Sequence, residues 1–401
     1  MRRSLFTPVI IGLMSLAVAP SSRSAPVTPW GILLAAGSLP VAESPRSSDM
    51  QYRPYPPYSK KWLDMAWDSE QQNAGQFQLL RQARLLMESD GGEAGTARLE
   101  SMKLSSTMPT DESIRQLLKP LNSMRNLANV VSDGAIFSHL NGNDTEGIAR
   151  ARDNFNIADC VRQTPYIVSQ LVAAGIDALG CYNLNIMASA FRLTGPNSAA
   201  PREQVKQTIA WLLDERPIRE SWRKAFENEL GNPPETGGKA STRIATWDAA
   251  ESAHDLPLLM RACDLQSLPE SNALVKQCGP RITAISADRL FVTEFRVLAE
   301  RRMTAIDLAM QLYRADHHSA FPKSLDELVP DYLAAIPRDP FSSNNAAIGY
   351  QMLAWPDGIK RPVLFVETGP DFKLDAEPRV GWYSHGKDQV RQYRDLTLPT
   401  H

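Results

Sequence analysis

The chain has 401 residues, of which 43% are hydrophobic, and a formal net charge of −2 from 43 basic and 45 acidic residues. This length predicts two or three domains at roughly 150 residues each, with enough apolar residues for an ordinary core. The balanced charge, without any basic run interleaved with aromatic residues, argues against a general affinity for nucleic acid or anionic lipid.

The amino terminus has the pattern of an export signal. Arg2 and Arg3 precede an apolar stretch from Leu5 to Ala19. Its length of about 15 residues matches the apolar region of a signal peptide, whereas a comfortable membrane span needs about 20. By the positive-inside rule the arginines stay in the cytoplasm and the rest of the chain is sent outward. We therefore predict that residues 1–25 are a signal peptide or a membrane anchor, and that the chain lies in the periplasm or cell envelope.

Residues 26–60 are predicted to form a linker between this signal and the folded part. A second apolar stretch, from Trp30 to Ala42, is broken by Gly37 and Pro40 and is too short to span a membrane. The sequence that follows, ESPRSSDMQYRPYPPYSK, is rich in proline, serine and tyrosine, which is typical of an extended segment.

Residues 61–286 are predicted to form a helical domain, because apolar residues recur at helical spacing between prolines and glycines. Ala151, Phe155 and Ala158 reproduce the Ala-x3-Phe-x2-Ala pattern of the second helix of a tetratricopeptide repeat. No second copy follows at a period of about 34 residues, so we favour ordinary helical hairpins. The run from Tyr166 to Phe191 is apolar around much of its circumference and predicts a central buried helix.

Two local signals mark helix ends in this domain. Asp111 can cap a helix in which Pro120 predicts a break or kink. After the Gly142-Asn143 turn, Asp144 or Thr145 can cap the next helix.

The four cysteines contain no Cys-x-x-Cys pair, which argues against a zinc ribbon or a thioredoxin-like site. Outside the cytoplasm they can form disulfides. Cys263 and Cys278 are the pair that we predict, since Pro269 between them permits the chain to turn back. The alternative is two buried free thiols. Closing a loop of this size would contribute about 3 kcal/mol in the chain-entropy model.

The last hundred or so residues carry a recognisable string. A long amphipathic helix is predicted from Phe291 and ends in LAMQLYRADHHSAFPKSLDELVPDYLAAIPRDPFSS. This string resembles the soluble domain of the major pseudopilin of type II secretion. That family has a helix ending in Tyr, a polar turn, an aromatic-Pro pair, a short Leu-x2-Leu helix and a Pro-x-Asp-Pro-aromatic turn. The matching positions are Tyr313, Phe321, Pro322, Leu325, Leu328, Tyr332, Leu333, Pro337, Asp339, Pro340 and Phe341.

The resemblance implies a small α+β domain over residues 287–395. Tyr350 fits the family's first strand, residues 363–366 another, and residues 382–388 resemble its closing Tyr-Ser-x-Gly-x-Asp strand and turn. Of the family's calcium-binding aspartates only Asp388 has a match, so no calcium and no other cofactor is carried over. The helix before the string is charged and lies deep in the chain, so the family's polymerising membrane helix is not carried over either.

Within this module the short helix has its own signal. Ser324 can cap it, and Glu327 stands at the position that completes a capping box. The whole arrangement is also similar to a group of bacterial envelope proteins with a membrane-targeting start, a helical domain and this C-terminal module. The stretch LLKPLNSMRNLANVVSDGAIFSHLNGND is similar to the helical part of that group. No activity comes with the resemblance.

No catalytic residue is predicted, because the sequence has no nucleophile elbow, P-loop, His-Glu-x-x-His or Rossmann glycine pattern. Glu251 and His254, beside Asp248 and Asp255, have the Glu-x-x-His spacing of di-iron bundles. Such bundles need two copies of this motif and the chain has one, so we interpret it as a solvated polar face without metal. The pair His317–His318 falls at a predicted surface turn.

The sequence thus predicts a mostly α protein of helical hairpins, weakly similar to tetratricopeptide repeats, with a small C-terminal pseudopilin-like α+β domain. Two functions remain. The first is a non-enzymatic binding or assembly protein of the envelope, whose C-terminal module recognises a protein partner. The second is a periplasmic hydrolase or metalloenzyme whose acidic and histidine residues converge only in the fold. The second function requires that Asp248, Glu251 and His254 share a cleft with another histidine or carboxylate, whereas the first does not.

Overall fold

The computed structural model describes residues 28–46, 58–89, 111–231, 249–280, 282, 287–354, 360–366, 381–384 and 390–395. The predicted signal, residues 1–25, lies outside these ranges, as do Asp248 and Asp388.

The described part is mostly helical, with few strands. The helices are α1 (Pro29–Ser38), α2 (Lys60–Gln72), α3 (Ala74–Ser89), α4 (Asp111–Leu140), α5 (Asp144–Arg162), α6 (Ile167–Ala188), α7 (Ala199–Leu213), α8 (Arg216–Gly231), α9 (Ala249–Asp264), α10 (Leu268–Val275) and α11 (Ala287–Asp316). The strands are β1 (Gly349–Ala354), β2 (Lys360–Phe365), β3 (Gly381–Ser384) and β4 (Val390–Asp395).

Helices α4, α5 and α6 form consecutive hairpins whose close packing follows from small residues. Ala151, Phe155 and Ala158 are fully buried on α5. A Cβ added at Gly180 of α6 would lie 2.6 Å from the Phe155 ring, so the ring occupies the space that the glycine leaves. By length and composition α6 could cross a membrane, but 61% of its apolar window is buried, as expected of the predicted central helix.

The bounds of α4 exclude the predicted break at Pro120, and hydrogen bonding corrects the predicted cap of α5. Helix α4 runs continuously from Asp111 to Leu140 with Pro120 inside it. The cap of α5 is Asn143, whose side chain accepts the Glu146 N–H at 3.1 Å. Asp144 does not cap the helix, because its carboxylate accepts hydrogen bonds from His139 and Arg192.

Helix α1 lies within the segment predicted as a linker. The Thr28 hydroxyl caps it by accepting the Gly31 N–H at 3.1 Å. Trp30, Leu33 and Ala36 are buried against α3 and α4. Since the helix is apolar on most sides, burial rather than charge patterning holds it, and these residues belong to the folded part.

The segment after α1 is also fastened to the helical part. The Arg46 N–H donates to Asp133 of α4 at 2.7 Å, and the Arg46 guanidinium lies over the Tyr182 ring, 4.8 Å from its centre. Residues 26–60 are therefore not an extended linker throughout.

Helix α11 belongs to both predicted domains. It packs against α6 and α7, and its buried side chains join one hydrophobic cluster with α5 to α9. The same cluster contains Leu325, Leu328 and Ile348 of the C-terminal part. One core therefore crosses the predicted boundary at residue 286.

The strands form one antiparallel sheet in the order β1-β2-β4-β3. Gln351 pairs with Val363, and Val363 pairs with Asp395. Just before the sheet, Ala347 forms an isolated bridge with Arg338. Tyr350 and the predicted strand positions near residues 363 and 382 fall in β1, β2 and β3.

The short helix of the module is one 3-10 turn, Leu325–Leu328, and its capping box is not formed. The Ser324 hydroxyl donates to Asp326 at 3.2 Å instead of receiving a backbone N–H. Glu327 accepts a hydrogen bond from the Tyr313 hydroxyl, so its carboxylate turns toward α11.

Candidate partner-binding site

The carboxyl end of α11 is closed by a tight turn. His318 and Ser319 have φ angles of 52° and 66°, in the left-handed region. The His317 N–H donates to the Tyr313 carbonyl at 2.9 Å, and the Ser319 N–H donates to the Arg314 carbonyl at 2.8 Å. These bonds satisfy carbonyls that the helix end leaves open. His317 and His318 thus lie in an exposed turn, as predicted.

Three aromatic side chains meet at this turn, and we call Tyr313, His317 and Tyr332 the aromatic corner. The Tyr313 and His317 rings are stacked, with centres 3.8 Å apart and planes 7° apart. The Tyr332 ring meets both edge to face, at 5.8 and 6.5 Å. His317 is exposed and both tyrosines are partly exposed, so the corner presents rings to the surroundings.

Hydrogen bonds hold each ring of the corner in one orientation. The Tyr313 hydroxyl donates to Glu327 at 2.5 Å, and the Tyr332 hydroxyl donates to Asp316 at 2.9 Å. His317 Nδ1 lies 2.8 Å from the Tyr313 carbonyl oxygen. A carbonyl oxygen only accepts, so Nδ1 carries the proton and Nε2 remains for an outside group.

The electrostatics of the corner keep its carboxylates charged and its tyrosines neutral. Burial, together with the bond to Asp316, raises the pKa of Tyr332 to about 12. The hydrogen bond from Tyr313 lowers the pKa of Glu327. Burial alone would raise the pKa of Asp316, but hydrogen bonds from Arg202 and Tyr332 outweigh it and lower that pKa.

The corner rests on a fixed support. Leu325, Leu328 and Leu333 are buried beneath it. The Tyr350 hydroxyl of β1 donates to the Pro322 carbonyl at 2.7 Å. From α7, Arg202 donates to both Asp316 oxygens, at 3.0 and 2.9 Å. Elements from both predicted domains therefore hold the rings in place.

The predicted Glu-x-x-His motif has a simpler arrangement than a metal site. His254 Nδ1 lies 2.8 Å from Asp255 Oδ1, and the His254 side chain is 64% exposed. Asp255 is buried and accepts the Gly279 N–H at 3.1 and 3.0 Å. Among the described residues, no group of three or more His, Cys, Asp or Glu side chains could hold a metal ion.

The four cysteines are thiols in this structure. Cys263 is buried in the main core, and the partly buried Cys278 packs against the same core. The Cys278 thiol points to the Leu274 carbonyl at 3.8 Å. The structure thus has no bond between Cys263 and Cys278, and the disulfide stays a prediction for the oxidised chain.

A buried ionic cluster on α11 was not found from the sequence. Arg301 donates to the carbonyls of Trp211 and Leu212 at 2.8 and 3.1 Å, and its guanidinium lies 4.1 Å from the Trp211 ring centre. It also lies 3.6 Å from Asp177, which pairs with Arg162 of α5. These contacts of Arg301 cap the carboxyl end of α7. In the sequence, the signal for the cluster was the pair of adjacent arginines, Arg301 and Arg302, within an apolar stripe.

Comparisons with known protein families, with curated proteins and with solved structures give no match.

Proposed function

We propose that this chain is a non-enzymatic binding or assembly protein of the cell envelope, and that its aromatic corner contacts a protein partner. The observation that carries the proposal is the corner itself: three rings, exposed or partly exposed, that hydrogen bonds hold at the carboxyl end of α11. The resemblance of the surrounding string to the pseudopilin soluble domain supports an envelope location and a small α+β module.

The corner has the composition of a binding hot spot. Aromatic residues are enriched at the centres of protein interfaces, where a few side chains supply most of the binding energy. Tyr313 and Tyr332 are already held by hydrogen bonds, so little side-chain freedom is lost when a partner binds. Asp316 and Glu327 supply a charged rim around the rings, and such rims govern the association rate.

The aromatic corner is attached to the helical part through α11, an arrangement suited to transmitting force between two proteins. Helix α11 is buried along most of its length in the helical core, and Arg302 donates to the Arg338 carbonyl of the C-terminal part at 2.8 Å. A force or a conformational change at the corner would therefore reach the helical part directly through α11.

Site-specific photo-crosslinking in growing cells tests the proposal. A benzoylphenylalanine placed at the exposed Asp331, beside Tyr332, should give a discrete adduct, and one at the exposed Lys224 of α8 should not. The adduct should disappear when Tyr332→Ala or His317→Ala is added in the same chain, with the circular dichroism spectrum unchanged. Equal adducts at both positions, or an adduct that survives both substitutions, would refute the proposed site.

A further inference from the structure

The polar hydrogens of the three rings in the aromatic corner are all used within the chain. The Tyr313 hydroxyl donates to Glu327, and the Tyr332 hydroxyl donates to Asp316. His317 Nδ1 donates to the Tyr313 carbonyl, which leaves the lone pair of Nε2. What remains for an outside molecule are phenol oxygens, Nε2, carboxylate oxygens and ring faces, which accept hydrogen bonds or attract positive charge. A binding partner must therefore supply the donors.

Two carboxylates beside the rings have no compensating cation. Asp326 and Asp331 are exposed, and neither forms an ion pair within the described residues. Asp326 accepts only the uncharged Ser324 hydroxyl, at 3.2 Å. Burial and the bond to Asp316 raise the pKa of Tyr332, and the charge of Asp331 adds to them, so this carboxylate lies close to the ring. The surroundings of the corner are thus negatively charged.

The cations near the corner are already engaged. Arg202 is bound to Asp316 through both carboxylate oxygens. The guanidinium of Arg314 lies over the Phe321 ring, 4.3 Å from its centre. Lys323 offsets the charge of the other carboxylate that holds the corner. The described part of the chain therefore supplies no further cation for the two free carboxylates or for the rings of the corner.

We infer that the aromatic corner binds an arginine side chain of the protein partner. The inference rests on the proposed function, in which a protein contacts the corner, and it names the chemistry of that contact. A guanidinium is planar, so it stacks on a ring face while its N–H groups reach neighbouring oxygens. It thus supplies both the donors and the positive charge that the corner lacks. A lysine ammonium carries the same charge, but its compact, strongly hydrated head covers a ring less well.

Two matched peptides test the inference on the full chain. The blocked peptide Gly-Arg-Gly-Arg-Gly carries two guanidinium groups, and its twin carries citrulline at both positions, which has a similar shape without the charge. Binding is followed by nuclear magnetic resonance of isotopically labelled histidine rings, with the His317 signal assigned through His317→Gln. The arginine peptide should shift this signal progressively up to millimolar concentration, and the citrulline peptide should leave it in place. Added salt should weaken the binding, because exposed charges are screened.

Variants of the chain show whether the corner itself is responsible. Tyr332→Leu removes a ring face and should weaken binding of the arginine peptide about fivefold. Asp331→Asn removes a free charge and should weaken it about threefold. The matched controls are Trp67→Leu, an aromatic residue that is 55% exposed on α2, and Asp288→Asn, an exposed carboxylate in the first turn of α11. Both controls should leave the affinity unchanged, and circular dichroism verifies the fold of each variant.

Three results would overturn the inference. The first is a His317 signal that the arginine peptide does not move. The second is equal affinity for the arginine and citrulline peptides, since charge is then not recognised. The third is an equal loss in Asp331→Asn and Asp288→Asn, which indicates only a general attraction to acidic residues. If any of these occurs while the crosslinked adduct still depends on Tyr332, this inference falls and the proposed function stands; absence of the adduct refutes the proposed function instead.

Discussion

The guanidinium of Arg302 forms a two-pronged ion pair with the carboxylate of Glu215, at 2.5 and 2.8 Å. Arg302 lies on α11 and Glu215 just before α8, and both are largely shielded from solvent. Burial would raise the pKa of Glu215, but the bond from Arg302 outweighs it and lowers that pKa. The pair thus fastens α11 to the helical part at the point where Arg302 also reaches the C-terminal part.

Removing one partner of this pair should be costly. Arg302→Met leaves the Glu215 carboxylate without its main partner in a buried place, so we expect a loss of about 3 kcal/mol in the free energy of unfolding. Urea unfolding followed by circular dichroism measures it. The double variant with Glu215→Gln should recover part of the loss, because the unpaired charge is gone.

An exposed ion pair serves as the control for Arg302. Arg216 pairs with Asp214 at 2.8 Å, but its side chain is 90% exposed. Arg216→Met should leave the free energy of unfolding nearly unchanged. Equal effects of the two arginine variants would contradict the role given to Arg302.

Glu294 should make the stability of the fold depend on pH. It is fully buried on α11, and in the described part of the chain neither carboxylate oxygen has a hydrogen-bond partner. Burial raises its pKa from 4.5 to about 8, against the opposing charge of Arg219 on α8. The charges of Glu215 and Asp264 also raise the pKa of Glu294.

The sign of the effect follows from these values. Between pH 4.5 and about 8 the unfolded chain has lost the Glu294 proton while the folded chain keeps it. The free energy of unfolding should therefore fall as pH rises through this window, by roughly 3–5 kcal/mol from this group. Glu294→Gln should remove this part of the pH dependence and stabilise the protein near pH 8. A pH profile of urea midpoints that is identical for the two proteins would show that Glu294 is not responsible.

Helix α1 should be required for stability. Leu33 is fully buried, so Leu33→Ala should cost about 2–5 kcal/mol through lost burial and the cavity left behind. Leu39→Ala removes the same atoms one residue beyond the helix, where the side chain is 40% exposed, and should cost well under half as much. Thermal unfolding of the two variants decides between a helix that belongs to the core and a dispensable linker.

The disulfide prediction concerns the oxidised, exported chain. Burial raises the pKa of Cys278 to about 11 and that of Cys263 well above its ordinary value, so both thiols react slowly once the protein is folded. A bond would therefore form before folding is complete. Non-reducing peptide mapping of the exported protein should recover a linked Cys263–Cys278 peptide pair. Recovery of Cys263 and Cys278 as free thiols would refute the prediction. The Cys278→Ser variant serves as the control, because its digest shows the peptide of a free Cys263.

Export is tested with a reporter. Residues 1–60 fused to alkaline phosphatase should give enzyme activity, because the reporter is active only after it crosses the membrane. Ile10→Asp with Ile11→Asp interrupts the apolar stretch and should abolish that activity without lowering the amount of fusion protein. An inactive wild-type fusion in an export-competent cell would rule out the signal.

The sequence predicted those features that depend on local pattern. The helices follow from spacing and from short-range chemistry, whereas the turn at His317 and the strand at Tyr350 were expected from the resemblance to the pseudopilin soluble domain. Helix α1 was missed because Gly37 and Pro40 broke a short apolar run, and only its packing shows that the run is folded. The burial of Arg301 was missed for a physical reason as well. A charged side chain is expected at the surface unless its hydrogen-bond partners are known, and here those partners are carbonyls that lie far away in the sequence.

The shared core has a consequence for the order of events during synthesis. Arg301 caps a helix whose Leu212 lies 89 positions earlier in the chain, so that helix end stays open until α11 has been made. Contacts between such distant positions slow folding, since a long loop must close before they form. A nascent chain that has passed α10 but not yet α11 therefore displays the apolar faces of α6 and α7 to its surroundings. The helical core is therefore complete only once α11 has been made.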